Sequence, residues 1–396
     1  MLYYYSGFYK RCIGEDGTAD YAKAEDASPL YCFPNKLEDI RVLEDAIASG
    51  AASAKANYYL GCLFYDKLQF ERAIELWEAS EKQDGEYPTL LRNLALAYYN
   101  KCAQPQKAKE KLEKAFALDT TDARVFLELD QLYKKLNCPL KERIVNYEKY
   151  PALKEERDDV MIEYITLLNS LGRHQEAYDA IMAHTFRPWE GAEGKVTTQY
   201  KAALVEMAKE KLAENDIQGA RVLLERSLVY PKNLGEGRLE GTKDNNIYYY
   251  LGCVKELLGD ADGARECFHL ASLGQDEPAG MMYYYDQPAD MILYKGLAAQ
   301  KLGDQRAANA CFYKLIDYGE KHIRDNMRID YFAVSLPDFL IFEEDLNLKN
   351  EAHCYYLMGL GRLGLGDKAE AAKQFSEVLE RDKSHQNGIF YEKMAH

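Results

Sequence analysis

Apolar residues recur along most of the chain at spacings of three and four residues, which predicts amphipathic helices. In the segment that begins at Ala54, Leu60 and Gly61 fall on one face of a first helix, and Ala73 and Trp77 fall on one face of a second. Small residues let two antiparallel helices approach closely, and large residues fill the layer between them. The pattern therefore predicts a helix–turn–helix hairpin of roughly 34 residues.

The same register recurs seven more times. The later units begin at Pro88, Ala123, Asp158, Lys201, Asn245, Ala289 and Ala352. In four units a glycine stands five residues before the small residue of the second helix; these are Gly172, Gly259, Gly303 and Gly366. A glycine there is expected to end the first helix in a left-handed cap. The third unit has Glu142 where alanine is expected, so it is a degenerate copy.

These positions match the pattern of tetratricopeptide repeats, and the chain resembles that family. The resemblance implies an all-α fold, a right-handed superhelix (α-solenoid) of about eight helix–turn–helix repeats. Four segments exceed the repeat length and are predicted to be inserted loops in the second half: Phe186–Val196, Tyr230–Asp244, Asp276–Gln287 and His322–Lys349. Each follows a second helix, so stacked repeats should place all four along one edge, with Trp189, Tyr284 and Asp330 together there.

The repeats suggest three regions along the chain. Residues 1–53 are predicted to form an irregular segment followed by a capping helix at 36–48. Residues 54–185 form four regular repeats. Residues 186–396 form four repeats with insertions and continue the first half.

Composition narrows the functional classes. The net charge of −15, from 65 acidic and 50 basic residues, disfavours nucleic-acid binding. The nine cysteines are scattered without a CxxC pair, which argues against a zinc site and favours a reducing, cytoplasmic location. No signal peptide or bilayer-spanning segment is recognised.

Tyrosine is unusually frequent, with 32 copies. A groove along the repeats is predicted to carry Tyr58, Tyr65, Tyr99, Tyr249 and Tyr356. The insertions offer a second set of candidate binding residues: Trp189, Glu190, Glu193, Asn233, Glu236, Tyr284, Asp286, Asp330 and Tyr331. Aromatic rings beside carboxylates suit a peptide or sugar. The alternative for both sets is that the aromatic residues pack and the charges remain solvated.

No motif of a catalytic site, cofactor site or metal site stands out, so the protein is predicted not to be an enzyme. The run GLGRLG at Gly359–Gly364 fits a dinucleotide-binding pattern only formally, because no strand precedes it. Some tetratricopeptide proteins hold a chaperone's acidic C-terminus in a carboxylate clamp. Asn93 and Arg124 fit that clamp, but Tyr58, Cys62 and Glu128 replace its other residues, so the clamp is predicted to be absent.

The chain also resembles the C-terminal helical part of large uncharacterised bacterial proteins over roughly residues 28–390. The likeness is carried by residues 32–35, 92–94, 128–132, 189–196, 231–237 and 330–338. In those proteins the helical part follows a β-rich region similar to carbohydrate-active enzymes. This resemblance implies a carbohydrate-linked context and transfers no catalytic residue.

Two functional hypotheses remain open. The first is a non-enzymatic scaffold that binds a protein or peptide through the repeat groove. The second is an accessory helical module of a carbohydrate-processing assembly, which docks to a β-rich catalytic part or contacts glycan. The eight repeats favour the first, and the four insertions favour the second.

Overall fold

The computed structural model of the protein describes residues 1–51, 53–187, 192–281, 287–328 and 341–396. These residues form 21 α-helices and one short 3-10 helix at Lys232–Leu234, and none of them lies in a strand. The predicted all-α fold is confirmed.

The helices follow one another along the whole described chain. The first eight are α1 (Leu2–Cys12), α2 (Thr18–Asp26), α3 (Leu37–Ala48), α4 (Ala54–Asp66), α5 (Phe70–Gln83), α6 (Pro88–Asn100), α7 (Pro105–Leu118) and α8 (Ala123–Lys135). The next six are α9 (Leu140–Lys149), α10 (Pro151–Glu156), α11 (Asp158–Ser170), α12 (His174–Ala183), α13 (Lys195–Ala213) and α14 (Ile217–Ser227). The last seven are α15 (Asn245–Leu257), α16 (Ala261–Ala271), α17 (Asp290–Lys301), α18 (Gln305–His322), α19 (Leu346–Gly364), α20 (Lys368–Arg381) and α21 (Gln386–Ala395).

The described residues divide into two compact units. Unit 1 contains Met1–Leu132 together with Ile341–Glu343, and unit 2 contains the described part of Tyr133–Leu340 together with Glu344–His396. Within unit 1 the helices pair as α4–α5 and α6–α7. Within unit 2 they pair as α11–α12, α13–α14, α15–α16, α17–α18 and α19–α20. This succession of hairpins is the arrangement that the repeat pattern predicts.

The sequence register places most hairpins correctly. Five of the eight predicted unit starts, at residues 54, 88, 123, 158 and 245, are the first residues of helices. Of the other three, α17 begins one residue after the predicted start at Ala289, whereas α13 and α19 begin six residues before those at Lys201 and Ala352. The ends of the first and fourth insertions are therefore helical. In the degenerate third unit Glu142 is exposed, and the neighbouring Arg143 is buried instead.

In several hairpins a glycine of the first helix lies directly against an aromatic ring of the second. A Cβ atom added to Gly61 would lie 2.5 Å from the Trp77 ring, and Gly252, Gly296 and Gly359 stand in the same relation to the phenylalanines of their second helices. The glycines of the GLGRLG run lie within α19, and Gly361 and Gly364 contact α18. The run therefore serves helix contact in this fold.

The turns inside the hairpins follow the predicted cap. Gly172, Gly259, Gly303 and Gly366 have positive φ angles between 78° and 84°, as the left-handed cap requires. In three of these hairpins the next residue is an aspartate, and its carboxylate accepts a backbone N–H in the first turn of α16, α18 or α20. The aspartate therefore caps the second helix.

The first 30 residues are not irregular, which corrects the sequence-based expectation. They contain α1 and α2, which pack together because Gly7 and Gly17 face each other without side chains. The Tyr4 hydroxyl donates to Glu25 at 2.6 Å. Gly14, which has a positive φ angle, lies in the turn between the two helices, and Gly17 is the N-cap of α2.

Candidate functional site

The first helices of unit 1 lie side by side and share a surface. The ring of Tyr58 on α4 meets that of Tyr87, just before α6, at 4.9 Å. The Arg92 guanidinium on α6 donates two hydrogen bonds, of 2.5 and 2.6 Å, to the Glu128 carboxylate on α8. We call the surface formed by Tyr58, Arg92, Asn93, Tyr99 and Asn100 the unit 1 surface.

Two of the predicted groove tyrosines of unit 1 are half-buried and packed by neighbouring rings. Tyr58 contacts Tyr87, and burial raises the pKa of its hydroxyl. Tyr65 packs between Phe70 and Trp77, with ring centroids 4.9 and 5.1 Å away, and burial raises its pKa too. Both hydroxyls therefore stay neutral near pH 7, and both rings stabilise the repeats as well as bordering the surface.

Glu128 does not face the surface as a free charge. Its side chain is buried, and it accepts hydrogen bonds from Arg92 and, at 3.0 Å, from Arg124. The two guanidinium groups offset the carboxylate, so the trio carries one net positive charge. Repulsion of a partner's carboxylate by Glu128 is thus weaker than the sequence suggested.

One end of the unit 1 surface holds residues 341–343 of the chain itself. The Asn100 amide donates to the Ile341 carbonyl at 2.8 Å and accepts the Glu343 N–H at 2.9 Å. The Phe342 ring between them meets Tyr99 at 5.0 Å. Lys101 pairs with the Glu343 carboxylate. This surface therefore contacts residues 341–343 through their backbone, an aromatic side chain and an acidic side chain.

The two groove tyrosines of unit 2 are packed by other aromatic rings, and the last helix covers Tyr356. Tyr249 is half-buried and packs against Phe268 and Tyr294. Tyr356 is buried and lies 6.0 Å from the ring of Tyr391 on α21. The expected open groove is therefore filled at Tyr356 by the chain's own C-terminal helix.

Two insertion residues predicted to bind a ligand instead form structural contacts between insertions. The Asn233 amide donates to the carbonyls of Ile181 and His184, at 2.8 and 2.9 Å, and so caps the end of α12. The Glu236 carboxylate accepts the Gly194 N–H that precedes α13, at 3.0 Å. The described parts of the first two insertions thus contact each other. Glu193 is exposed.

Six candidates lie outside the described residues: Trp189, Glu190, Tyr284, Asp286, Asp330 and Tyr331. The predicted common edge for Trp189, Tyr284 and Asp330 therefore stays a prediction.

Sequence inspection missed a small cleft between α10, α11 and α12. A cavity of about 250 Å³ is lined by Lys154, Tyr164 and His184, among others. The Lys154 ammonium lies 3.8 Å from the centre of the Tyr164 ring, and His184 Nε2 is 2.7 Å from the Asp158 carboxylate. Burial lowers the pKa of Lys154. Only the three-dimensional approach of α10 to α12 creates this cleft, so no spacing in the sequence signals it.

Neither a metal-binding cluster nor a membrane-spanning helix is found among the described residues. No group of three or more His, Cys, Asp or Glu side chains in the described ranges is arranged to hold a metal ion. None of the described helices is long and apolar enough to cross a membrane.

No known family model matches the chain. Among solved structures it is similar to a tetratricopeptide repeat protein from Parabacteroides merdae ATCC 43184, with 11% identity, coverage of 86% of this chain and 98% of that one, and a TM-score of 0.39. It is also similar to PilW, a type IV pilus biogenesis factor, with 16% identity, coverage of 67% and 92%, and a TM-score of 0.23. It is similar as well to MamA, with 18% identity, coverage of 66% of this chain and 95% of that one, and a TM-score of 0.19. At these values the likenesses add nothing to the hairpin fold described above.

Proposed function

We propose that the protein is a non-enzymatic scaffold that binds a protein or peptide partner through the unit 1 surface. The observation that supports this best is the set of contacts that Asn100 and Tyr99 make with residues 341–343: two hydrogen bonds to the backbone and one ring contact. Main-chain hydrogen bonds give affinity for any extended peptide, and a side-chain pocket adds specificity. Beside that segment, Tyr58, Arg92 and Asn93 extend the same surface with amphipathic and polar groups.

The proposed location is the cytoplasm. All nine cysteines are free thiols, and free thiols persist in a reducing compartment.

Site-specific photo-crosslinking tests the proposed function. A photo-reactive amino acid replaces Tyr58 on the unit 1 surface, and in a matched control it replaces Glu75, which is exposed on the second helix α5. After irradiation in cells we expect a discrete covalent adduct with another protein from position 58 and none from position 75. Adducts of equal yield at both positions, or none at position 58, would contradict the proposal.

A second candidate function is an accessory module that docks to a β-rich carbohydrate-active protein. The observation that favours it is a set of exposed apolar residues near the start of unit 1, where Tyr31 is 92% and Phe33 79% exposed. Leu2 is exposed as well, and the Met1 amino group lies 3.6 Å from the sulfur of Cys32, between Tyr31 and Phe33. Exposed apolar patches commonly mark protein interfaces.

This alternative is tested with a neighbouring gene product, if one encodes a β-rich glycosidase-like protein. We expect co-purification with the wild-type chain and its loss in Phe33→Ser, whereas Leu239→Ser, an exposed leucine in unit 2, retains it. Co-purification that Phe33→Ser leaves intact would exclude this patch as the docking site.

A further inference from the structure

Helix α21 contacts helices of unit 2 that are far from it in the sequence. The hairpin helices pack chiefly on their neighbours in sequence. Helix α21 packs on the preceding α20 but also on α11 and α19. Its Gln386 exchanges hydrogen bonds of 2.9 and 3.0 Å with Gln199 on α13. It therefore crosses several hairpins, as a bound ligand does in a repeat array.

The contacts of α21 alternate between polar and aromatic groups. The Gln386 amide also donates to the Thr166 carbonyl on α11, at 3.3 Å. One turn further, the Phe390 ring lies 5.9 Å from His174 on α12. Met394 Sδ lies 3.7 Å from the ammonium of Lys209 on α13. Positions 386, 390 and 394 are spaced by four residues and form one stripe of the helix.

A buried carboxylate lies at the centre of this contact. Asp290, on α17, is 8% exposed, and its Oδ2 accepts the Tyr391 hydroxyl of α21 at 2.9 Å. Its Oδ1 has no hydrogen-bond partner in any other described residue. The rings of Tyr294 and Tyr356 also border Tyr391. The Tyr391 hydroxyl therefore satisfies only one of the two oxygens of the Asp290 carboxylate. A carboxylate is costly to bury when its hydrogen bonds are incomplete.

We propose that this face of unit 2 is a binding site for an amphipathic helix of a partner protein that carries an aromatic residue followed directly by arginine or lysine, and that α21 is the resident helix which such a partner displaces. The aromatic residue would replace Phe390 against His174. The cation would replace Tyr391 against Asp290, because a guanidinium supplies both charge and two parallel hydrogen bonds to a carboxylate. This inference rests on the proposed function, partner binding, but concerns a different surface from that of unit 1.

The segment before α21 permits release of the helix without loss of the chain's attachment. Asn137 holds it by donating to the Arg381 carbonyl and accepting the Lys383 N–H, both at 3.1 Å. Arg143 donates to the Ser384 hydroxyl at 2.9 Å. These bonds all precede Gln386, so α21 can leave its site while residues 381–384 stay anchored.

Two labelled peptides with the sequence of residues 384–396 test the proposal by fluorescence anisotropy. One has the natural sequence, and the other carries Tyr391→Arg. They are titrated into full-length Gln386→Ala, which weakens the resident helix, and into the matched control Lys393→Ala, whose side chain is exposed on α21. We expect Gln386→Ala to bind the arginine peptide about tenfold more tightly than the natural one, which corresponds to about 1.4 kcal/mol. We expect weaker binding of both peptides to the control.

The double variant Gln386→Ala, Asp290→Asn should lose that tenfold preference. The proposal is overturned if no chain binds either peptide, or if the preference survives Asp290→Asn. Hydrogen exchange of the unmodified protein gives an independent measurement that needs no variant. The amides of α21 should exchange faster than those of α20, and equal protection would show that α21 is a permanent part of the fold. Crosslinking at Tyr58 concerns unit 1 only, so failure here leaves the proposed function to be decided separately.

Discussion

Several hairpins of both units carry buried small residues at the positions where the repeat pattern predicts close helix crossings. Ala73, Ala264, Ala308 and Ala371 have at most 2% of their surface exposed. These crossings depend on small side chains because helix axes separate when either residue grows. Substitutions at these positions therefore report directly on the repeat register.

We expect Ala73→Leu and Ala264→Leu each to reduce the free energy of unfolding by about 1–3 kcal/mol, because extra atoms in a filled crossing force neighbours apart. Urea unfolding followed by circular dichroism measures the change. The control is Glu75→Leu on the exposed side of α5, which should cost at most about 0.5 kcal/mol. Glu81 is a poorer control, since it pairs with Lys111 at 2.5 Å. Equal midpoints for the three variants would show that the register is wrong.

A substitution at Asn233 tests whether this candidate binding residue has a structural role instead. Its amide donates to two carbonyls at the end of α12, so Asn233→Ala removes two part-buried hydrogen bonds and should cost about 1–3 kcal/mol. Glu193→Ala, in the neighbouring insertion and exposed, should leave the melting temperature nearly unchanged. An Asn233→Ala protein as stable as the wild type would return this residue to the list of ligand-binding candidates.

Some of these residue contacts could be predicted from the sequence, and others could not. The crossings at Gly61 and Ala73 were predictable because their steric requirement repeats every hairpin. The roles of Asn233 and Asn100 were not, because their partners lie far away in the sequence, at Ile181 and Ile341. A polar side chain carries no signal that distinguishes a ligand contact from a backbone contact at such distances.

At the scale of single elements, unit 2 contains three histidines that are buried or half-buried, and one of them precedes α21. His385 Nδ1 accepts the Gly388 N–H at 2.9 Å and so caps α21. Burial lowers the pKa of His174, His353 and His385. Protonation of each ring is therefore less favourable in the folded protein than in the unfolded chain.

We expect unit 2 to lose stability in mild acid, with His353 as one measurable source. Burial lowers the pKa of His353 to about 4, from an ordinary value near 6.5. A depressed imidazole pKa means that its stabilising contribution is complete above about pH 6.5 and declines as the pH falls towards 4. Between pH 7.5 and 5 this group should account for about 2 kcal/mol.

The matched variant for this test is His353→Gln, whose side-chain amide can still donate to the Ala279 carbonyl, as His353 Nε2 does at 3.0 Å. Urea unfolding at pH 7.5 and pH 5 should show a smaller loss for the variant than for the wild type. Identical losses in both proteins would remove His353 as a source of acid sensitivity.

The capped turns are the element-level feature that the sequence predicted best. A glycine followed by aspartate needs only local geometry, and Gly303 with Asp304 ends α17 and begins α18 as expected. Helix α21 was missed, because an isolated helix after the last repeat gives no indication of the hairpins against which it packs. The prediction for the start of the chain was wrong, because Gly14 and Gly17 indicate a turn but not the two helices that the turn joins.

At the scale of the whole molecule, each unit has its own apolar core. In unit 1 a cluster that includes Tyr4, Leu43, Leu60 and Phe64 joins α1 to α5. In unit 2 separate clusters centre on Leu251, Phe268 and Phe312. In repeat proteins the free energy of unfolding is roughly a sum of local terms and nearest-neighbour interfaces, so cooperativity need not extend along the whole chain.

We therefore expect the two units to unfold in separate steps, each sensitive to its own variant. Ala73→Leu should lower the transition of unit 1 by several degrees and leave that of unit 2 in place, and Ala264→Leu should do the reverse. Calorimetry detects the steps, and hydrogen exchange assigns each step to Met1–Leu132 or to the chain after it. A single transition that both variants lower equally would show that the chain unfolds as one cooperative body, because a local change would then be shared by every residue.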